Sequence, residues 1–110
     1  MNSISVIELK ALLESGATDI ALVDVRTPDE ARVASIVGAE LIPLALIESG
    51  EAVEHLRELS ATKKLFLHCK LGGRSAKAVA LLQQNGIEAV NVSGGIDAWC
   101  AEVDPTLPLY

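Results

Sequence analysis

Apolar residues in this chain come in two kinds of run, and the two kinds alternate. From Ser5 to Ser15, Val6, Ile7, Leu9, Leu12 and Leu13 recur at helical spacing, and Gly16 closes the segment. Ile20-Ala21-Leu22-Val23-Asp24-Val25 is instead a short, nearly continuous apolar run, the pattern of a strand buried on both faces. Leu65-Phe66-Leu67-His68 and Ala89-Val90-Asn91-Val92 repeat that pattern, and Ala39-Glu40-Leu41-Ile42, closed by Pro43, is a weaker version. Between the strands, Glu51 to Leu59 predicts a helix with Val53, Leu56 and Leu59 on one side. Ser75 to Gln84 predicts another, with Ala76, Val79, Ala80 and Leu82 inward and Gly86 as its stop. Ile96 to Val103 makes a last helix before a tail that holds Pro105 and Pro108.

Strands alternating with helices imply an α/β domain with a mainly parallel central sheet of about five strands, flanked by helices on both faces. The chain has 110 residues, with no internal repeat and no Gly/Ser-rich linker. One domain is therefore expected over 1–110, its core at about 4–103 and a Pro-containing tail at 104–110. Half the residues are hydrophobic and only 3% aromatic, so the core rests on Ala, Val, Ile and Leu.

The net charge of −6 argues against nucleic acid as a partner, because phosphate binding wants a basic face. No apolar stretch reaches transmembrane length, so no membrane partner is expected. The segment Met1-Asn2-Ser3-Ile4-Ser5-Val6 lacks the charged start and apolar run of a secretory signal. Cys69 and Cys100 do not make a disulfide framework, and reduced thiols in a cytoplasmic setting are expected.

In parallel α/β sheets, ligands gather at the carboxyl ends of the strands. Such an end carries Cys69-Lys70-Leu71-Gly72-Gly73-Arg74-Ser75. Gly72 and Gly73 let main-chain N–H groups turn inward around a small anion, and the helix that follows adds unpaired N–H donors and its positive dipole end. Lys70 and Arg74 add formal positive charge. Each of these favours thiolate over thiol, so Cys69 is expected to be a nucleophile with a depressed pKa. The same cradle would stabilise a persulfide anion on Cys69 or an oxyanion under attack.

The loop His68-Cys69-Lys70-Leu71-Gly72-Gly73-Arg74-Ser75 resembles the active-site loop of rhodanese-domain sulfurtransferases. Other stations agree in order: Leu22-Val23-Asp24-Val25-Arg26 with Pro28 and Glu30, Gly38-Ala39 with Ile42-Pro43, and Gly94-Gly95 with Trp99. The likeness runs from about Ile4 to Trp99. It implies a rhodanese-like α/β fold and a cysteine that takes sulfane sulfur from a donor, holds it as a persulfide, and passes it to a thiophilic acceptor. Carried over, Cys69 is the sulfur carrier, and the N–H groups from Lys70 to Ser75 hold the outer sulfur. Arg74 orients the loop and the anionic substrate. No cofactor and no metal are implied. Asp24 and Arg26 are expected as a supporting ion pair near the sheet end. The likeness has one gap: where rhodanese domains usually carry Gly-His-Ile-Pro-Gly-Ala, this chain has Ala34-Ser35-Ile36-Val37-Gly38-Ala39, and Ala31 replaces an aromatic.

Four residues separate Cys69 from Arg74. Cysteine-dependent phosphatases resemble this design with one residue more, which widens the cradle for a tetrahedral phosphate. The shorter loop favours sulfur over a phosphatase or arsenate reductase. Other readings are a non-catalytic interaction module on the same fold, and a redox sensor that pairs Cys69 with Cys100. His68 precedes Cys69 on a strand, so the two side chains should point to opposite faces. The expected donor is thiosulfate or a persulfide, drawn by Lys70, while Leu71 offers a protein partner an apolar contact. The tail Val103-Asp104-Pro105-Thr106-Leu107-Pro108-Leu109-Tyr110 resembles the ending of rhodanese domains fused behind adenylyltransferases. Those domains pass sulfur to a ubiquitin-like sulfur-carrier protein, so the chain reads as standalone or as an excised domain.

Overall fold

A computed structural model of the chain describes residues 2–110. Five strands, β1 (Ser3–Ile4), β2 (Ile20–Asp24), β3 (Glu40–Leu41), β4 (Lys64–His68) and β5 (Val90–Val92), form one sheet in the order β1-β5-β4-β2-β3. Every pairing is parallel. Parallel neighbours need crossover connections. These contain the helices α1 (Val6–Glu14), α2 (Pro28–Val33), α3 (Leu44–Glu48), α4 (Val53–Ser60) and α5 (Gly73–Gln84), with α6 (Gly95–Glu102) following β5.

Side-chain alternation along the central strands divides the core into two layers. Val23, Leu65 and Leu67 face Leu56 of α4 and Ala78, Val79 and Leu82 of α5. Leu22 and Phe66 face the other way, onto Val6 and Leu9 of α1 and Ile96, Trp99 and Cys100 of α6. Helices therefore cover both faces of the sheet, as the sequence pattern predicts. Each fully buried aliphatic side chain contributes about 1.5–3 kcal/mol, which lets a core poor in aromatics hold the fold. None of the helices among the described residues is long and apolar enough to cross a membrane.

Two helices start on the same device. Ser5 accepts from the Glu8 N–H at 3.1 Å while the Glu8 carboxylate accepts from the Ser5 N–H, and Thr27 and Glu30 repeat the exchange at α2. The structure departs from the pattern in three short elements, β1, α2 and α3, that the apolar spacing does not predict. Helix α2 buries no residue fully, so it has no stripe to show, and β1 and α3 are two and five residues long. Helix α5 also starts at Gly73, ahead of Ser75. Its inward stripe is Ser75, Ala78, Val79 and Leu82, so Ala78 takes the fully buried place expected of Ala76 and Ala80.

Register brings the chemistry together. Asp24 stands opposite His68, and Leu67 opposite Asn91, so the carboxyl ends of β2, β4 and β5 lie side by side. The loop at Cys69 leaves the middle one.

Candidate active site

The chain turns out of β4 at Cys69 and wraps back around its own sulfur. The Gly72 N–H donates to Cys69 Sγ at 3.0 Å and the Ser75 N–H at 3.5 Å, while Ser75 Oγ lies 3.4 Å away. This closure needs Gly72 in the left-handed region, at φ 112°, where a side chain would be strained. Helix α5 then begins, and the N–H groups of its first turn, at Gly73 and Arg74, have no partner within the helix. The positive end of the helix dipole falls at the same place.

The second Gly-Gly pair forms the back wall. Ile96 and Asp97, in the first turn of α6, donate their N–H groups to the carbonyls of Cys69 and Lys70 at 2.9 and 3.1 Å. Gly95 has φ 58°, and a Cβ there would meet the Cys69 carbonyl oxygen and sit 2.5 Å from that of Lys70. Backbone thus lies directly on backbone, and the strand-end loop is braced from behind.

Cys69 is buried, which by itself pushes a thiol up. Hydrogen bonds from the Ser75 hydroxyl and from the N–H groups of Ser75, Gly72 and Arg74 outweigh that, and its pKa lies below the ordinary thiol value. The formal charges expected to help are already engaged. Arg74 makes a bidentate ion pair with Glu30, at 2.6 and 2.8 Å. Lys70 Nζ lies 2.8 and 3.1 Å from the Asp97 carboxylate and 4.9 Å from the centre of the Tyr110 ring. What the cradle offers an incoming anion is therefore mainly N–H groups rather than free cations.

Asp24 and Arg26 meet as an ion pair, with Arg26 Nε and Nη2 donating to Asp24 Oδ1 and Oδ2 at 2.9 and 2.7 Å. Both are buried, and Arg26 has no exposed surface. Its remaining hydrogens reach the Ala34 carbonyl at 2.7 Å and Tyr110 Oη at 2.8 Å, and Tyr110 in turn donates to Glu30 at 2.8 Å. Arg26, Tyr110, Glu30 and Arg74 thus form one chain of hydrogen bonds from the sheet end to the loop. Glu30 is quoted in the sequence motif, but its partner is 44 positions away, and Tyr110 is 84 from Arg26. No local spacing signals such pairings.

His68 lies on the sheet face opposite Cys69, buried, with Nδ1 3.3 Å from the Cys69 carbonyl and Nε2 without a hydrogen-bond partner among the described residues. Burial pushes its pKa down, so the ring is neutral at pH 7. Cys100 is a free thiol pushed up by burial, and it packs in the layer of Phe66 and Trp99 while Cys69 packs in the layer of Leu67 and Val79. The sheet separates the two sulfurs, which argues against a disulfide between them. Leu71 is exposed at the rim.

The Arg74–Glu30 pair has a measurable signature. Hydrogen bonds from Arg74 hold the Glu30 carboxyl far below the usual carboxylate range. A depressed carboxyl contributes stability that is complete above its unfolded value, about 4.5, and that is lost as pH falls toward the folded value. Glu30→Gln should therefore be less stable than the parent at neutral pH, and its urea midpoint should fall less steeply below about pH 4.5. His68, neutral in the fold, adds an acid loss that begins nearer 6.5 and is common to both proteins. Parallel midpoint-against-pH curves for parent and variant would show that the pair contributes nothing.

Comparison with known proteins agrees with this geometry. A family model described as the rhodanese-like domain matches residues 5–102. Over 104 residues the chain is 42% identical to the probable adenylyltransferase/sulfurtransferase MoeZ of Mycobacterium tuberculosis, covering 94% of this chain and 26% of that protein. The chain thus spans about a quarter of that relative's length. Among solved structures, SSP1007 from Staphylococcus saprophyticus superposes with a TM-score of 0.80 at 40% identity, over 94% of this chain and 97% of that one. The human single-domain sulfurtransferase TSTD1 gives 0.72 at 30% identity, over 93% and 97%. On the match across 5–102 and these likenesses, the chain belongs to the rhodanese-like domain family.

Proposed function

We propose that this protein is a sulfurtransferase that carries sulfane sulfur as a persulfide on Cys69. The observation that carries the reading is the sulfur itself, hydrogen-bonded by the N–H groups of the loop that starts from it and set at the N-terminal end of α5. With thiosulfate as donor, the Cys69 thiolate attacks the outer sulfur. A bond forms between Sγ and that sulfur, the sulfur–sulfur bond of thiosulfate breaks, and sulfite leaves with the electron pair. The charge now sits on the outer sulfur, where the N–H groups of the loop from Lys70 to Ser75, including those of Leu71, Gly72, Gly73 and Arg74, stabilise it. A nucleophilic acceptor then attacks the outer sulfur and returns the bonding pair to Cys69 as thiolate.

Arg74 holds the loop through Glu30 in this scheme, and Asp24 with Arg26 supports the sheet end beneath it. Lys70 and Leu71 stand at the rim, where a donor or a protein acceptor arrives. A persulfide is an equally suitable donor, and a sulfur-carrier or ubiquitin-like protein fits as acceptor, since MoeZ is named an adenylyltransferase/sulfurtransferase. A cytoplasmic setting, where thiols stay reduced, suits the chemistry.

Intact-protein and peptide mass spectrometry test the proposal. After incubation with thiosulfate, Cys69 should carry one added sulfur atom, and cyanide should remove it as thiocyanate. Absence of added sulfur with both thiosulfate and a low-molecular-weight persulfide would sink the reading. Ordinary thiol reactivity at Cys69 would then favour a binding module on the same fold.

A further inference from the structure

Asn91 lies on β5, buried beside the Cys69 loop, and the sulfur-transfer steps above make no use of it. Its Nδ2 donates to the Gly72 carbonyl at 3.3 Å, which turns its side-chain oxygen toward Ser75 Oγ, 2.5 Å away. Ser75 Oγ is also 3.4 Å from Cys69 Sγ and 3.2 Å from the Gly72 carbonyl oxygen. A serine hydroxyl has one proton, which it donates in one direction at a time.

We propose that Asn91 is a positioning residue for the Cys69 nucleophile, its side-chain oxygen competing with the sulfur for the single proton of Ser75. Beside a neutral thiol, S–H donates to Ser75 Oγ and the Ser75 hydroxyl donates to Asn91 Oδ1, so every partner is used. Once the thiol loses its proton to solvent, the sulfur needs donors. Ser75 turns its hydroxyl to Sγ, and the buried Asn91 oxygen is left without one. The cost of that orphaned acceptor falls on the bare thiolate alone. Loading the sulfur, on the sulfurtransferase reading above, reverses the choice. Sγ becomes a neutral bridging atom, the charge moves outward, and the Ser75 proton returns to Asn91. Asn91 thereby favours the thiol and the loaded form over the empty thiolate.

The test is the pH dependence of Cys69 alkylation by iodoacetamide in the full chain, read on the Cys69 peptide so that Cys100 is not counted. The charged groups around the loop, Arg74 with Glu30, Lys70 with Asp97 and Asp24 with Arg26, and the neutral ring of His68, are the same in every variant. Asn91→Val suits a buried strand position and removes the competing oxygen. Its alkylation midpoint should move to lower pH. Well below the midpoint the rate should rise about threefold, because a larger thiolate fraction is partly offset by weaker nucleophilicity. In a Ser75→Ala background the same change should leave the midpoint where it is, since there is no hydroxyl proton to contest. A midpoint that stays or rises in Asn91→Val, or an equal shift in both backgrounds, overturns the proposal. Asn91→Ala carries the same expectations should circular dichroism show Asn91→Val to be unfolded. Alkylation needs no sulfur donor. Failure of the sulfurtransferase reading would show as no added sulfur on Cys69, and failure of this one as an unshifted midpoint.

Discussion

Cys69→Ser should reduce thiosulfate-to-cyanide sulfur transfer by roughly 10⁴-fold or more, to the uncatalysed background, while the protein stays folded. A serine hydroxyl is nearly the same shape, and it can accept from the Gly72 and Ser75 N–H groups as the sulfur does. It cannot be deprotonated near neutral pH by hydrogen bonds of this kind, and so it supplies no nucleophile. The two readouts separate cleanly. Thiocyanate formation reports the chemistry, and an unfolding free energy from urea titration within about 0.5 kcal/mol of the parent reports the fold. Substantial transfer by the variant would place the nucleophile elsewhere and dismantle the mechanism.

Arg26→Met has the largest expected effect on stability, a loss of about 3–5 kcal/mol. The guanidinium is fully buried, and removing it leaves the Asp24 carboxylate charged, in the interior, and without its two strongest donors. It also strips a donor from the Ala34 carbonyl and from Tyr110. Total stability in domains of this kind is about 5–15 kcal/mol, so the variant should be partly unfolded at modest urea concentrations. Asp24→Leu in the same chain should restore part of the loss, because it removes the orphaned charge instead of leaving it buried. A single variant within 1 kcal/mol of the parent would mean that the pair is replaceable, as some buried pairs are.

What the chain discloses before its structure is known depends on distance along the sequence. Strands β2, β4 and β5 are legible because their burial on both faces forces continuous apolar runs. Helices α1, α4 and α5 show themselves by one-sided stripes, with Gly16 and Gly86 as stops for α1 and α5, and α6 by its place ahead of a tail that holds Pro105 and Pro108. Helix α2 carries a capping signal, Thr27 and Glu30, but no apolar stripe to confirm it. The cradle around Cys69 is legible for a similar reason, since Cys69, Gly72, Gly73, Arg74 and Ser75 are neighbours and the contacts that close the loop on the sulfur are local. Charge pairing is less legible. Lys70 and Arg74 look like free cations in the sequence, and their partners Asp97 and Glu30 stand 27 and 44 positions away. Asn91 reads as one polar residue in an apolar strand; its 16-residue separation from Ser75 conceals that it borders the cradle.

The chain contains one tryptophan and one tyrosine. Trp99 lies inside the layer between α6 and the sheet, while Tyr110 bridges Arg26 and Glu30 beneath the Lys70 ammonium. The protein therefore carries two natural optical labels with separate views. Indole emission reports whether the interior is intact, and phenol absorbance reports the charge arrangement at the mouth of the loop. Denaturation and events at the cradle can be followed in one cuvette, with no dye attached.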